Sequence, residues 1–199
     1  MRTRFVLFAA GACLLSAGRA QPSIGAVADA AFAPVAKPTS LPPGVAVLFG
    51  TEDRIAERVV TAINSATNEI LVNQSVFTNG QIARALVDAF RRRKVTVVVL
   101  LDPSPRLSVP YQTPGYFAIN GVPVFATTAG STNNNKYVVI DRSTVLTGSF
   151  DFTEAATRND ENLLIISEAG IAVRYYNHFV GRLRTAKRFD LSALKSVKP

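Results

Sequence analysis

The sequence is poor in the residues that build disulfides, thiol sites and imidazole chemistry. It contains one cysteine, Cys13, and one histidine, His178, in 199 residues. A single cysteine excludes a disulfide within the chain, and a single histidine leaves one imidazole for acid–base or nucleophilic work. Charged residues make up only 18% and hydrophobic residues 48%. This composition argues against a disordered chain and is sufficient for a packed core.

Long hydrophobic runs are also missing after residue 20. Before it, Arg2 and Arg4 precede an apolar run over residues 5–16. This run is too short for a transmembrane anchor, which must cross about 30 Å of hydrocarbon. The pattern therefore favours a signal peptide over residues 1–20, cleaved after Ala20, and a periplasmic or secreted protein. Cleavage would remove Cys13 and three arginines, lowering the formal charge from +8 to +5.

Residues 21–43 are rich in alanine and proline, which predicts a flexible linker before a domain over residues 44–199. The positive charge of that domain fits a polyanionic partner such as nucleic acid or an anionic lipid surface.

Apolar runs and amphipathic segments alternate within the domain. Strands are predicted over residues 45–49, 69–76, 95–101, 122–127, 136–140, 144–147 and 163–167. Helices are predicted over 52–66 (capped by Thr51), 80–92, 116–120 and 171–188. This order predicts an α/β fold with a mixed β-sheet flanked by helices on both faces.

One polar constellation stands out in the sequence. Lys136 opens a predicted strand and Asp141 closes it, while Gly148 and Ser149 end the next strand. A lysine, a hydroxyl and accessible backbone amides form a phosphate-binding cradle when they meet. On composition alone, a plain hairpin with polar ends explains the same pattern.

The spacing is similar to the motif of the phospholipase D superfamily, His-x-Lys, four residues, Asp, six residues, Gly-Ser-x-Asn. Lys136, Asp141, Gly148 and Ser149 are in register with it. The segment containing Glu161 and the segment at residues 75–78 also resemble the small single-motif bacterial endonucleases of that superfamily.

This resemblance implies a phospholipase D-like fold and phosphodiester hydrolysis of DNA or another phosphodiester. In the family the motif histidine forms a phosphohistidine, a second histidine protonates the leaving oxygen, and the motif lysine and asparagine hold the phosphate. The resemblance implies a homodimer that builds one shared site across a two-fold axis. It implies no metal and no other cofactor.

Two positions depart from the motif. Asn134 stands at the histidine position and Asp151 at the asparagine position. A carboxamide is neither a nucleophile nor a useful acid or base near neutral pH. An ionised carboxylate cannot donate a hydrogen bond to phosphate and repels it, and we expect it to pair with Lys136. The sequence therefore predicts an inactive or strongly impaired phosphodiesterase, with Glu161 left to orient a side chain or water.

The alternative is an exported nucleic-acid- or protein-binding relative without catalysis, acting at the cell envelope in a setting such as DNA transfer. The residue at position 134 separates the two readings. The basic run Arg91, Arg92, Arg93 and Lys94 ends a predicted helix, where cations suit the helix dipole. The same run is a weaker nucleic-acid-binding hypothesis. His178 is expected to be structural or on the surface.

Overall fold

The computed structural model describes residues 41–102, 113–128 and 132–189. The predicted signal peptide and residues 21–40 of the predicted linker lie outside this part of the chain, as does most of the proline-rich segment after Asp102. No helix of the described residues combines the length and the hydropathy that a membrane crossing requires.

Strands and helices alternate along the described chain. The strands are β1 Val45–Phe49, β2 Glu69–Gln74, β3 Thr96–Leu101, β4 Val124–Ala126, β5 Tyr137–Ile140, β6 Thr144–Gly148, β7 Asn162–Ile166 and β8 Lys187–Arg188. The helices are α1 Ile55–Ser65, α2 Gly80–Arg91, α3 Thr113–Ile119 and α4 Ala169–Leu183, with a 3₁₀ turn at Ala156–Arg158.

The described strands form one mixed sheet in the order β1-β7-β6-β5-β2-β3-β4-β8. Strands β2, β3 and β4 are parallel neighbours, whereas β5, β6 and β7 run antiparallel to one another. The start of β5 and the end of β6 therefore lie at the same edge of the sheet as the carboxyl ends of β2, β3 and β4. The predicted mixed α/β fold is confirmed.

Two apolar layers hold the sheet between helices. Side chains alternate between the faces of a strand, so Ile70 packs in the layer under α1 and α2 while Leu71 packs in the layer under α4. The larger layer includes Ile63 of α1 and Leu86 of α2, and the smaller layer is closed by Phe179 of α4. Each such fully buried side chain contributes about 1.5–3 kcal/mol. The prediction of helices on both faces is thereby confirmed.

The start of α1 differs from the sequence prediction. The helix begins at Ile55 and not at residue 52, and Thr51 is not its cap. Asp53 accepts a hydrogen bond from the Phe49 amide at 2.8 Å, which holds the intervening residues in a turn. Arg54 then enters the helix from the left-handed region, with φ of 52° and no side-chain cap.

The last predicted helix also differs at both ends. Helix α4 starts two residues early because the Glu168 carboxylate accepts hydrogen bonds from the amides of Gly170 and Ile171 at 3.0 and 2.6 Å. It stops at Leu183, and Lys187–Arg188 pairs with β4 as strand β8. The strand pairing is a contact between segments that are distant in the sequence. The helical spacing of apolar residues up to residue 188 therefore could not predict it.

Candidate phosphodiester site

Most motif residues meet at one edge of the sheet, which we call the motif edge and define by Asn134, Lys136, Ser149, Asp151 and Glu161. Strands β5 and β6 pair with residue 137 opposite residue 147. This register brings the residue before β5 next to the residues that end β6. The structure therefore collects in one place side chains that are up to 27 positions apart in the sequence.

Lys136 is paired with Asn134. Its Nζ donates a hydrogen bond to Asn134 Oδ1 at 2.7 Å. The prediction that Lys136 pairs with Asp151 is wrong, because no carboxylate of the described residues lies within 4.0 Å of the Lys136 ammonium. Asn134 itself is exposed, whereas Lys136 is half-buried.

Asp151 is held by its own loop. Its Oδ1 accepts hydrogen bonds from the Thr153 hydroxyl at 2.6 Å and the Thr153 amide at 3.2 Å. The same hydroxyl accepts from the Ala156 amide at 3.1 Å, where the 3₁₀ turn begins. The local chain thus engages one oxygen of this carboxylate, which explains why it does not turn to the lysine.

Ser149 and Glu161 form a second pair at the motif edge. The Ser149 hydroxyl donates to Glu161 Oε2 at 2.5 Å and accepts from the Asn162 amide at 3.0 Å. The other carboxylate oxygen of Glu161 accepts from Asn159 at 3.2 Å. The serine proton is therefore directed at the glutamate, while Glu161 itself is fixed by two donors.

Gly148 makes this arrangement possible by close approach. A Cβ at position 148 would lie 2.3 Å from the backbone oxygen of Asn162. Strands β6 and β7 can therefore pair here only around a residue without a side chain. The glycine of the motif has a packing role beside the polar site.

Asp141 lies at the other end of β5, about 17 Å along the strand from Lys136 at 3.4 Å per residue. Its carboxylate accepts hydrogen bonds from the amides of Thr67, Asn68 and Glu69 at 2.8 Å each, and from the Thr67 hydroxyl at 2.9 Å. Partial burial opposes ionisation, but these four donors outweigh it and lower the pKa of Asp141. The structure does not bring this motif residue together with the others.

A set of buried polar side chains lies behind the motif edge and was not predicted from the sequence. The amide of Asn133 donates to Asp102 Oδ2 at 2.5 Å, and its side chain donates to Asn73 Oδ1 at 2.6 Å. Gln74 and Thr127 are buried beside the ends of β2 and β4. The available signal was a polar residue at the carboxyl end of each apolar parallel strand, a position where α/β sheets place ligand-binding groups.

The basic run lies far from this site, at the C-terminal end of α2. Arg93 donates to the carbonyl groups of Ile63, Asn64 and Ala66 at 2.9–3.0 Å and so caps helix α1. Arg91 donates to the Asn120 side chain. The other end of α2 is the one near the motif edge, since the amide of its N-cap residue, Asn79, donates to the Phe152 carbonyl of the loop that holds Asp151.

The remaining two members of the run are also on the surface at this end. Arg92 lies 3.5 Å from Asp88, and Lys94 has a positive φ of 60°. An α-helix rises 1.5 Å per residue, so α2 separates the run from the motif edge by about 18 Å. The structure does not join these four cations to the phosphate-binding candidates.

The single histidine is attached to the face of the sheet that α4 covers. His178 Nδ1 lies 2.8 Å from the Tyr137 hydroxyl. Burial raises the pKa of Tyr137 to about 12, so this hydroxyl is protonated at neutral pH. His178 is exposed, and its contact with Tyr137 is a feature that the sequence alone did not indicate.

The described residues contain no group of three or more His, Cys, Asp or Glu side chains arranged to hold a metal ion. The polar groups of the motif edge are one cation, two carboxylates, a hydroxyl and a carboxamide. Lys136 is the one group among them that attracts an anion, and the two carboxylates oppose it.

The fold and the motif place the chain in a known class. A family described as cardiolipin synthase, phospholipase D-like domain, matches residues 59–183. The chain belongs to this phospholipase D-like family, and the resemblance predicted from the motif is confirmed.

Individual relatives are consistent with that assignment. A phospholipase D of Rickettsia bellii is 30% identical over 145 residues, covering 69% of this chain and 68% of that protein. A phospholipase D of Rickettsia felis is 32% identical and is covered over 62% of its length.

Solved structures show the same architecture. The phospholipase D family member Nuc from Salmonella typhimurium is 29% identical, with a TM-score of 0.66, and the match covers 73% of this chain and 98% of that one. NucT from Helicobacter pylori has a TM-score of 0.64 over the same shares at 21% identity, which supports the fold alone.

Proposed function

We propose that this protein binds phosphodiesters at the motif edge and hydrolyses them very slowly or not at all. The observation that carries the proposal is residue 134, where a carboxamide stands at the nucleophile's position and accepts a hydrogen bond from Lys136 at 2.7 Å. The lone pair of an amide nitrogen is delocalised, so Asn134 supplies neither an attack on phosphorus nor a proton near neutral pH. The phosphohistidine step is thereby removed.

No other group of the described chain takes over that step. The Ser149 hydroxyl is engaged with Glu161, whose carboxylate is in turn held by Asn159. The only histidine of the sequence, His178, contacts Tyr137 on the face covered by α4. A two-fold dimer would repeat the same deficiency at its second motif.

Anion binding at the motif edge rests on Lys136. An ammonium group has three N–H donors, and Asn134 takes one of them. The other two have no partner among the described residues, so they are the donors proposed for phosphate oxygens. The family pattern places residue 151 beside the phosphate, and two like charges about 4 Å apart cost on the order of 4 kcal/mol near a protein surface. We therefore expect binding that is weak and that improves when Asp151 is neutralised.

The test uses supercoiled plasmid in EDTA, which suppresses metal-dependent contaminating nucleases. The unmodified protein, Asn134→His and Asp151→Asn are each expected to show background cleavage. The double variant is expected to cleave and to yield a phosphoenzyme on acid quench. Asp151→Asn keeps an oxygen for the Thr153 hydrogen bonds, so it changes charge with little change of structure.

Lys136→Ala is the control on both backgrounds. It should abolish the cleavage gained by the double variant, and it should weaken phosphodiester binding by the unmodified protein. Cleavage by the unmodified protein at the rate of the double variant, lost with Lys136→Ala, would refute the proposal and require another nucleophile.

The proposal includes a homodimer in which two motif edges face each other. It is supported by the family resemblance, which implies a site built from two motifs, and by the single motif of this chain. Light scattering at micromolar concentration is expected to give twice the mass of the mature chain. A strict monomer under those conditions would contradict the proposed shared site. It would not contradict phosphodiester binding by a single motif edge.

The proposal also places the mature protein in the periplasm or outside the cell, on the pattern of residues 1–20. N-terminal sequencing of protein from its native host is expected to begin near Gln21. A sequence that begins at Met1 would contradict export by cleavage.

A further inference from the structure

A cavity of about 250 Å³ lies on the α4 side of the sheet, one residue away from the motif edge. It is lined by Asn135, Tyr137, Arg174, Tyr175 and His178. Asn135 stands between the two paired residues of the motif edge in the sequence, so it joins the two features. The volume is far larger than the ~30 Å³ of one water molecule. The cavity therefore has room for a planar group of a ligand.

Helix α4 adds a row of basic side chains to this cavity. Arg174, His178 and Arg182 are spaced four residues apart, which places them on one face of the helix over about 12 Å. Helix α4 carries no acidic residue between Ala169 and Leu183. Lys187 and Arg188 continue the positive charge on the exposed strand β8. The result is a cationic path that begins beside the motif edge.

The arginines of this row have no ion pair within the described residues. The ion pairs found there join Arg54 to Glu57, Arg92 to Asp88 and Arg142 to Glu69, and none includes a residue of α4. Arg174 is exposed and no described carboxylate lies within 4.0 Å of it. The Nε of Arg182 is buried and has no hydrogen-bond partner there. Arg174 is therefore available to an external anion, whereas Arg182 is half-buried and its Nε is not exposed to one.

We propose that the α4 path, defined as Arg174, His178 and Arg182 with the adjoining cavity, binds a segment of single-stranded nucleic acid that continues from the phosphate held at Lys136. The inference rests on the proposed function, because Lys136 supplies the first phosphate contact. Arg174 and Arg182 contact further phosphates, and an unstacked base enters the cavity.

The chemistry of the cavity favours a single strand over a duplex. The half-buried Tyr175 lines it and is the ring within reach of a base, while the buried Tyr137 supports it edge to face with ring centroids 4.9 Å apart. Aromatic side chains bind nucleic acid by stacking on bases that are free of their partners. The Tyr137 hydroxyl is 2.8 Å from His178 Nδ1, which holds the imidazole at the rim of the cavity. A duplex offers phosphates but no free base for this cavity.

Two binding measurements are made. Fluorescence anisotropy reports binding to a labelled oligothymidylate and to the matching duplex, and co-sedimentation reports binding to vesicles of phosphatidylglycerol. The variants are Arg174→Ala, Tyr175→Leu and Lys136→Ala. Arg58→Ala is the matched control, since Arg58 is an exposed arginine on α1, with no ion pair among the described residues and on the opposite face. Circular dichroism verifies that each variant is folded.

We expect Arg174→Ala to weaken single-strand binding about tenfold and to reduce the salt slope by about 0.7, the value for one lost phosphate contact. Tyr175→Leu should weaken the single strand and leave the duplex unchanged, and Arg58→Ala should change binding less than twofold. Equal effects of Arg174→Ala and Arg58→Ala, with Lys136→Ala still impaired, would refute the α4 path and leave the proposed function standing.

Other outcomes separate the two proposals further. Loss of binding in Arg174→Ala with no effect of Lys136→Ala would contradict the proposed function while supporting the path. A preference for duplex over single strand, or vesicle binding that depends on Arg174 without oligonucleotide binding, would overturn the assignment of the ligand.

Discussion

Strands β5 and β6 carry motif residues at both of their ends, and the two ends differ in how their polar groups are used. At the turn between the strands, which we call the turn edge and define by Thr67, Glu69, Asp141 and Arg142, the Asp141 carboxylate accepts four hydrogen bonds from the protein. Arg142 pairs with Glu69 at 2.6 Å. At the motif edge, only one of the three N–H donors of Lys136 has a partner among the described residues.

This difference indicates that the two ends of the motif have different roles, one in stability and the other in the proposed binding site. The turn edge is saturated, so it can contribute to stability but has little left for a ligand. The motif edge is only partly paired among the described residues and faces solvent at Asn134, which is why we propose it as the binding site. Spacing in the motif alone does not distinguish these purposes, because the strand between Lys136 and Asp141 separates them.

Gly148→Ala is expected to have the largest effect on stability, because the new Cβ would lie 2.3 Å from the Asn162 backbone oxygen. Overpacking against backbone of this kind costs about 3 kcal/mol. Urea denaturation measures the loss. The matched control is Gly181→Ala in α4, where nothing lies within 4 Å and a small gain of stability is expected. Equal midpoints for both variants would show that β6 and β7 separate without cost.

Asp141→Ala tests whether the hydrogen bonds of the turn edge contribute to stability and not to binding. Loss of the acceptor for three amides and a hydroxyl should cost about 2 kcal/mol, with part of the loss recovered in Asp141→Asn. Phosphodiester binding should remain unchanged once the variant is folded. Asp160→Ala removes an exposed carboxylate with no hydrogen bond among the described residues and serves as the control. If Asp141→Ala instead weakens phosphodiester binding without a loss of stability, Asp141 contributes to binding and not only to folding.

The contribution of Asp141 should disappear in acid. Its pKa in the folded protein lies below the ordinary value of 3.8, so its stabilisation is present above that value and is lost as pH falls through the folded pKa. The difference in unfolding free energy between the unmodified protein and Asp141→Ala should be constant from pH 7 to about 5 and shrink below pH 4. A difference that grows in acid would contradict the assigned sign.

Arg93→Ala should have a smaller effect, about 1 kcal/mol, because three carbonyl groups at the end of α1 lose a charged donor. Arg92→Ala should cost less than about 0.5 kcal/mol, since its pair with Asp88 is long and exposed. Thermal unfolding separates the two variants. If both instead weaken nucleic-acid binding alike without a change of stability, the basic run belongs to a binding surface.

The sequence by itself determined the α/β class, most strand positions and the family, because these depend on local spacing of apolar and motif residues. It also determined the absence of a motif histidine, since residue 134 is read directly. The starts and ends of α1 and α4 were less well determined, because Asp53 and Glu168 act through side-chain hydrogen bonds that apolar periodicity does not contain.

Only the tertiary structure decided which polar groups meet. Asp151 and Lys136 each bond to a residue two positions away, Thr153 and Asn134, and only the structure shows that these local pairs form instead of the ion pair expected between Lys136 and Asp151. Arg93 became a cap for α1 through contacts about 30 positions back in the chain. Arg174 and His178 of α4 lie beside the motif edge because Phe179 packs the helix on the sheet. Such pairings depend on how distant segments are brought together, so the order of residues along the chain does not specify them one by one.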